Sequence, residues 1–277
     1  MTCRVAALAA VLVFAPPVPA QEPATVAVSP ASVTIRHHRH PHSLQVLGRS
    51  ADGYSLDLHA AASYAIADPK VATVDAAGWV RPVTNGTTTV SVTIAGKTTT
   101  VPITVQLPPA EPATSFRHEV MPVLSRAGCN MGACHGYSLG KNGFKLSLRG
   151  ESPEQDFPAI VRGAAGRRIN YLSPEASLLI AKGRGDAAHE GGMRFTRGSL
   201  ADDILTRWVR DGTPGDLADP ARVVRVRLVP DVLVMKPGQR HQLQLIAEYA
   251  DGATRDVTKL GLFAANNDLY ATATEDG

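Results

Sequence analysis

The chain has 277 residues, a formal net charge of +3, and 44% hydrophobic against 19% charged residues. That length accommodates two or three domains, and the composition excludes a disordered polymer. So small a charge, with no long Lys/Arg run, excludes an electrostatic nucleic-acid surface. Aromatic residues make up only 5%, whereas Thr, Val, Ala, Gly and Pro abound, a bias toward β-structure with many turns.

Residues 1–20 read as a secretory signal: Arg4, an apolar run from Val5 to Phe14, and Val18-Pro19-Ala20 before the cleavage point. No lipoprotein cysteine follows the run, and no later stretch is long enough to span a bilayer. The expectation is an exported protein, in the periplasm or at the cell surface, without a transmembrane segment. Cys3 leaves with the signal, so only Cys129 and Cys134 remain in the mature chain.

Residues 24–107 read as short strands with period-two patterning: Thr25–Val28, Ser32–Ile35, Ser43–Leu47, Val71–Val74, Thr87–Ile94 and Thr98–Val105. Asp52-Gly53, Asp68-Pro69, Asn85-Gly86 and Ala95-Gly96-Lys97 supply turns, with Asn85-Gly86 predicted as a tight one. Together these predict a β-sandwich. The run from Arg36 to His42, with His37, His38, His40 and His42, falls between strands, where a solvated loop is the plain reading and a metal site the sharper one.

A repeat divides the chain. Ala51-Asp52-Gly53, Asp57 and the stretch to Gly78 align without gaps on Ala250-Asp251-Gly252, Asp256 and the stretch to Gly277, with Ala72-Thr73 on Ala271-Thr272. Asp52-Gly53, Asp57, Asp68-Pro69, Asp75 and Gly78-Trp79-Val80 resemble the bacterial Ig-like group 2 module. That resemblance implies one module over 24–107 and a second, incomplete one over 222–277. The expectation is therefore the N-terminal part of a longer polypeptide.

Leu107 to Pro112 reads as a stiff linker, and 114–213 changes character. Phe116, Val120 and Val123-Leu124 have helical spacing, with Pro122 expected to kink or interrupt the helix. Ser177 to Lys182 suggests a short helix. Ser199 to Asp202 opens another, with Ile204, Leu205, Trp208 and Val209 on one face and Gly212 and Pro214 closing it. The block is Gly-rich and sparing of large apolar residues, which suggests stabilisation by a bound group. Arg184-Gly185-Asp186 spells an integrin-type tripeptide that recurs by chance and carries no weight.

The chemistry concentrates in Cys129-Asn130-Met131-Gly132-Ala133-Cys134-His135. Two thiols on one turn with a His directly after the second suit covalent haem c attachment, although four residues rather than two separate the cysteines. A Cys129–Cys134 disulfide is the bland alternative, and zinc, with three candidate ligands, a weaker one. This region resembles the cytochrome c-like domain of large exported planctomycete proteins. The resemblance rests on Val120–Leu124, Gly128-Cys129-Asn130, Cys134-His135-Gly136, Gly140–Phe144, Leu146–Gly150, Gly166-Arg167-Arg168, His189-Glu190-Gly191-Gly192 and Trp208. It implies a small, mainly α, haem domain at 114–213, and hence a multidomain α+β chain with two Ig-like sandwiches flanking it.

His135 is the expected proximal iron ligand and His189 the distal one, with Met193 second choice and an open coordination position third. Arg149, Arg167 and Arg168 are candidate partners of the haem propionates. Phe144, Leu146, Leu148, Leu178, Leu179 and Trp208 wall the haem or fill the core. No nucleophile–base pair or carboxylate dyad suggests that this segment turns over a substrate. The leading expectation is electron transfer, to a redox partner protein or downstream domains of the same chain. The alternatives are a cell-surface binding scaffold without haem and a gas-binding haem sensor.

Overall fold

The computed structural model describes residues 23–216 and 222–277, so the predicted signal at 1–20 lies outside the described residues. The first unit contains ten strands: β1 (Thr25–Ser29), β2 (Val33–Ile35), β3 (His42–Ser43), β4 (Gln45–Arg49), β5 (Ser55–Asp57), β6 (Ser63–Ile66), β7 (Ala72–Val74), β8 (Trp79–Pro82), β9 (Gly86–Ile94) and β10 (Lys97–Val105). They form sheets β1-β4-β5, β2-β10-β9-β6 and β3-β8-β7. The β9–β10 hairpin turns at Ala95 and Gly96, both at positive φ, which matches the twist of its strands. Its alternation turns Val90, Val92, Ile94, Val101, Ile103 and Val105 inward against Val33, Ile35, Leu44, Val46 and Val80. Each such side chain contributes about 1.5–3 kcal/mol on burial.

Asn85-Gly86 is not the tight hairpin turn the dipeptide predicts. β8 and β9 lie in different sheets, and the Asn85 side chain instead clasps both the N–H and the carbonyl of Leu107 at the start of the linker. The linker is pinned further along as well. Glu111 accepts from Arg39 and Arg207, and Asp211 accepts from the Thr114 N–H and hydroxyl at 2.8 Å each.

The repeat is structural. β11 (Val223–Val229), β12 (Gln244–Tyr249) and β13 (Thr254–Asp256) form a sheet in the order of β1-β4-β5. Asp57 accepts from the His59 N–H at 2.9 Å and Asp256 from the Thr258 N–H at 3.0 Å, each starting one helical turn. β11 is exposed along nearly its whole length. The two copies also bind each other reciprocally. Asp57 accepts from the Gln242 N–H at 2.7 Å, and Asp256 from the Ser43 N–H at 2.9 Å. His241 and His42, the residues just before these donors, each lie 4.0 Å from the same carboxylates.

Between the copies lie α1 (Met121–Arg126), α2 (Pro153–Val161), α3 (Leu178–Arg184) and α4 (Leu200–Arg210). Pro122 stands where the helical run changes winding: Phe116–Val120, capped by Ser115, is wound wide, and regular α-helix starts only at Met121. Ser199 caps α4 by accepting from the Asp202 N–H. A contiguous core gathers Phe116, Val120, Leu124, Leu146, Ile160, Ile180, Leu205 and Trp208. The Phe116, Phe157 and Trp208 rings pack at 5.2–6.3 Å. This block thus buries more apolar surface than its composition suggests, because a few aromatics and scattered Leu/Ile converge from distant segments. The Arg184-Gly185-Asp186 tripeptide is not presented as a ligand: Arg184 is buried and ion-paired with Asp202.

The histidine-rich loop is not a solvated one. His37, Arg39 and His40 are partly buried at the meeting point of the three units, against Glu119 of the middle block and Arg255 of β13. Among the described residues no group of three or more His, Cys, Asp or Glu side chains converges as a metal site, and no helix is long and apolar enough to cross a membrane.

Candidate functional site: the paired imidazoles of the middle block

The segment after α1 coils back on itself. The His135 N–H donates to the Cys129 carbonyl at 3.0 Å, the Cys134 N–H to the Met131 carbonyl at 2.9 Å, and the Cys129 N–H to the Leu124 carbonyl at 2.9 Å. Two glycines permit this closeness. A Cβ on Gly136 would lie 2.1 Å from the Asn130 carbonyl oxygen, and one on Gly140 would lie 2.2 Å from the Phe144 carbonyl oxygen. Asn130, wholly buried, donates to the Ser125 hydroxyl at 2.8 Å and ties the loop to α1.

His135 presents one imidazole nitrogen. Its Nδ1 is 3.0 Å from the Phe144 carbonyl, and the Phe144 ring packs against it at 4.6 Å between centroids. Burial pulls its basicity below the usual imidazole range, with His189 and Arg168 acting in the same direction and the Phe144 carbonyl against it. His189 reaches the same place from the loop between α3 and α4. Its Nδ1 is 3.0 Å from the Gly192 carbonyl, and Gly191 leaves space that a Cβ would take from its ring. The two imidazoles are nearly parallel, 15° apart, with centroids separated by 6.2 Å. Both spend Nδ1 on a backbone carbonyl, which leaves Nε2 as the nitrogen available to a metal.

Cys129 and Cys134 are both free thiols, not a disulfide. Burial pushes the Cys129 thiol up to about 11, against the opposing effect of Arg194. Arg194 also donates to the Cys134 sulfur at 3.1 Å. Met193 is 64% exposed and packs near Gly185.

The candidate arginines divide. Arg149 and Arg167 are exposed. Arg168 lies 4.0 Å over the Phe144 ring and donates to the Ala159 and Gly163 carbonyls, so it supports the wall behind His135. Among the apolar candidates, Leu146 and Trp208 belong to the core, Leu148 is exposed, and Phe144 touches His135. Arg194 is the residue that sequence reasoning passes over. Its place in Gly-Gly-Met-Arg, directly after the His189 loop, was the available signal.

The two imidazoles form a stacked pair, and among the described residues no third His, Cys, Asp or Glu joins them in a metal-binding cluster.

No curated protein matches the chain. Among solved structures, it is similar to S-layer protein SbsC domains 4 and 5, at 20% identity, covering 31% of this chain and 53% of that one, with a TM-score of 0.27. Similarity to SbsC domains 5–6 is at 19% identity, covering 34% of this chain and 48% of that one, with a TM-score of 0.27. The chain thus spans about half of those structures, or less. The sequence pattern of the bacterial Ig-like domain family matches residues 60–106, so the first unit carries a bacterial Ig-like domain signature on a β-sandwich.

Proposed function

We propose that the middle block is an electron-transfer domain holding one haem c, presented outside the inner membrane on Ig-like units. The supporting observation is the parallel pair His135 and His189, each anchored through Nδ1. Cys129 and Cys134 would provide the thioether sulfurs, and His135 and His189 the imidazoles that hold the iron. Haem bound there supplies reversible one-electron chemistry. The chain fixes both rings, shields one side with Phe144 and Arg168, and sets Arg194 beside the sulfurs. Ligation by two histidines favours a lower potential than His/Met. Met193, largely exposed, is the less suitable ligand.

The test is production in a host with haem-attachment machinery, followed by peptide mass spectrometry and visible spectra. The expected product carries haem mass on the Cys129–His135 peptide. His189→Ala loses the six-coordinate spectrum, while Met193→Ala keeps it. A colourless protein with unmodified thiols overturns this reading.

A second reading, a surface scaffold without cofactor, is favoured by the Ig-like match at 60–106. It predicts that a Cys129→Ala/Cys134→Ala variant folds fully without haem, losing no more stability than deletion of the partly buried Cys129 sulfur costs.

A further inference from the structure

The three units meet around His40, whose ring nitrogen Nε2 has two incompatible neighbours. Arg255 of β13 presents Nη2 to it in a very short contact, and a guanidinium only donates. Glu119 of the middle block presents Oε1 at 3.3 Å, and a carboxylate only accepts. Unprotonated, Nε2 accepts from Arg255 and faces the Glu119 lone pairs unfavourably. Protonated, it donates to Glu119 and opposes Arg255. No protonation state satisfies both.

The surroundings keep this conflict inside the protein. The His40 side chain is 13% exposed and that of Glu119 4%. Nδ1 of His40, Nε of Arg39 and Nε of Arg255 are buried without hydrogen-bond partners among the described residues. His37 stacks on His40 at 3.9 Å, and Arg39 reaches Glu119 at 3.4 Å and Glu111 at 2.6 Å. The Ser115 N–H donates to Glu119 at 2.9 Å. Tyr249 of β12 lies under the Arg255 guanidinium and meets the His118 ring edge-on.

We propose that His40 is a proton-operated selector at this junction. Neutral, it holds Arg255 and so binds the first sandwich to the β11-β12-β13 unit. Protonated, it turns to Glu119 and releases Arg255, loosening β13 while tightening the contact to the middle block. Burial, helped by Arg255 and Arg39 and opposed by Glu119, pushes His40 down to about 4, and burial, His40 and Arg39 push His37 down to about 3. The exchange therefore belongs to acid conditions rather than neutral ones.

The test uses the full chain with 15N-labelled histidine, and hydrogen exchange over 254–256 corrected for intrinsic rates. At pH 7, Nε2 of His40 should be unprotonated and the proton on Nδ1. Between pH 7 and pH 4, Nε2 should gain its proton while protection at 254–256 falls at least tenfold. His40→Gln, whose amide donates and accepts at once, should hold both partners and show no such fall. Arg255→Met should show the lowered protection at 254–256 already at pH 7, with no further fall toward pH 4. An Nε2–H tautomer at pH 7 overturns the proposal, as does an equal fall in protection in His40→Gln and the parent. These readouts are independent of whether haem is attached.

Discussion

Arg184→Met breaks a buried ion pair between α3 and α4. Arg184 and Asp202 have side chains 4% and 5% exposed, and the Arg184 Nε–H donates to one Asp202 oxygen. The other Asp202 oxygen accepts from the Gly198 N–H at 2.8 Å. The remaining Arg184 bonds, to the Glu175 carbonyl and the Thr206 hydroxyl, are long at 3.4 Å and contribute little. Removing Arg184 leaves one carboxylate oxygen buried without its cation. Breaking such a pair costs ~3–5 kcal/mol, and the surviving Gly198 bond places this case near the lower end. In urea unfolding monitored by near-ultraviolet dichroism, the midpoint should fall without a change of slope. Arg184→Met/Asp202→Leu should recover most of the loss, since no uncompensated charge remains. Because α3 and α4 frame the loop with His189, the single variant should also raise hydrogen exchange at 189–195. A loss below about 1 kcal/mol, or a double variant no better than the single, would refute the reasoning.

Trp208→Ala removes a fully buried ring and the indole donor to the Pro214 carbonyl, and should cost ~3–5 kcal/mol by chemical denaturation. Gly136→Ala drives a Cβ into the Asn130 carbonyl and should cost about 3 kcal/mol, with Ala133→Gly as a nearly silent control on the same loop. Acid should destabilise the chain through the junction. His40 and His37 have folded values below their unfolded ones, so their contribution is whole above about pH 6.5. It is lost as pH falls toward about 4 for His40 and about 3 for His37. Glu119 loses stabilisation below the usual carboxylate range in the same direction: burial opposes its charge, but His40, the Ser115 N–H and Arg39 hold its carboxyl well down. The His40 part amounts to at most about 3 kcal/mol, and melting temperatures from pH 7 to pH 4 should flatten in His40→Gln.

Much of the β-structure was legible because its signals are local. Period-two alternation in 86–105 places one Val/Ile face inward, and the repeated Asp57 and Asp256 each accept from the N–H two residues on in both copies. The Ser199 cap and the Trp208 face of α4 were equally local. α2 was missed: Pro153 opens it and Pro158 sits inside it, residues that ordinarily argue against a helix. Asn85-Gly86 misled because the dipeptide encodes a tight turn, not which sheet the next strand joins. At the candidate site, His135 was singled out by its place after Cys134 and His189 by the resemblance, and the fold brings their ring centroids within 6.2 Å of each other. Arg194 was not singled out, since its role depends on how the loop after His189 folds over a sulfur sixty residues earlier. The histidine-rich loop was misread for the same reason. Its partners, Glu119 and Arg255, come from other units, and no local pattern announces a three-way contact.

The mutual grip of the two copies, Asp57 on the Gln242 amide and Asp256 on the Ser43 amide, has the geometry of an isologous interface folded into one chain. A patch that matches its own duplicate matches every molecule bearing that duplicate. Intramolecular pairing therefore does two jobs: it orients the block between the copies, and it withdraws a self-complementary surface from neighbouring molecules. Severing one half of the grip would leave the other half free to pair with a second copy of the chain.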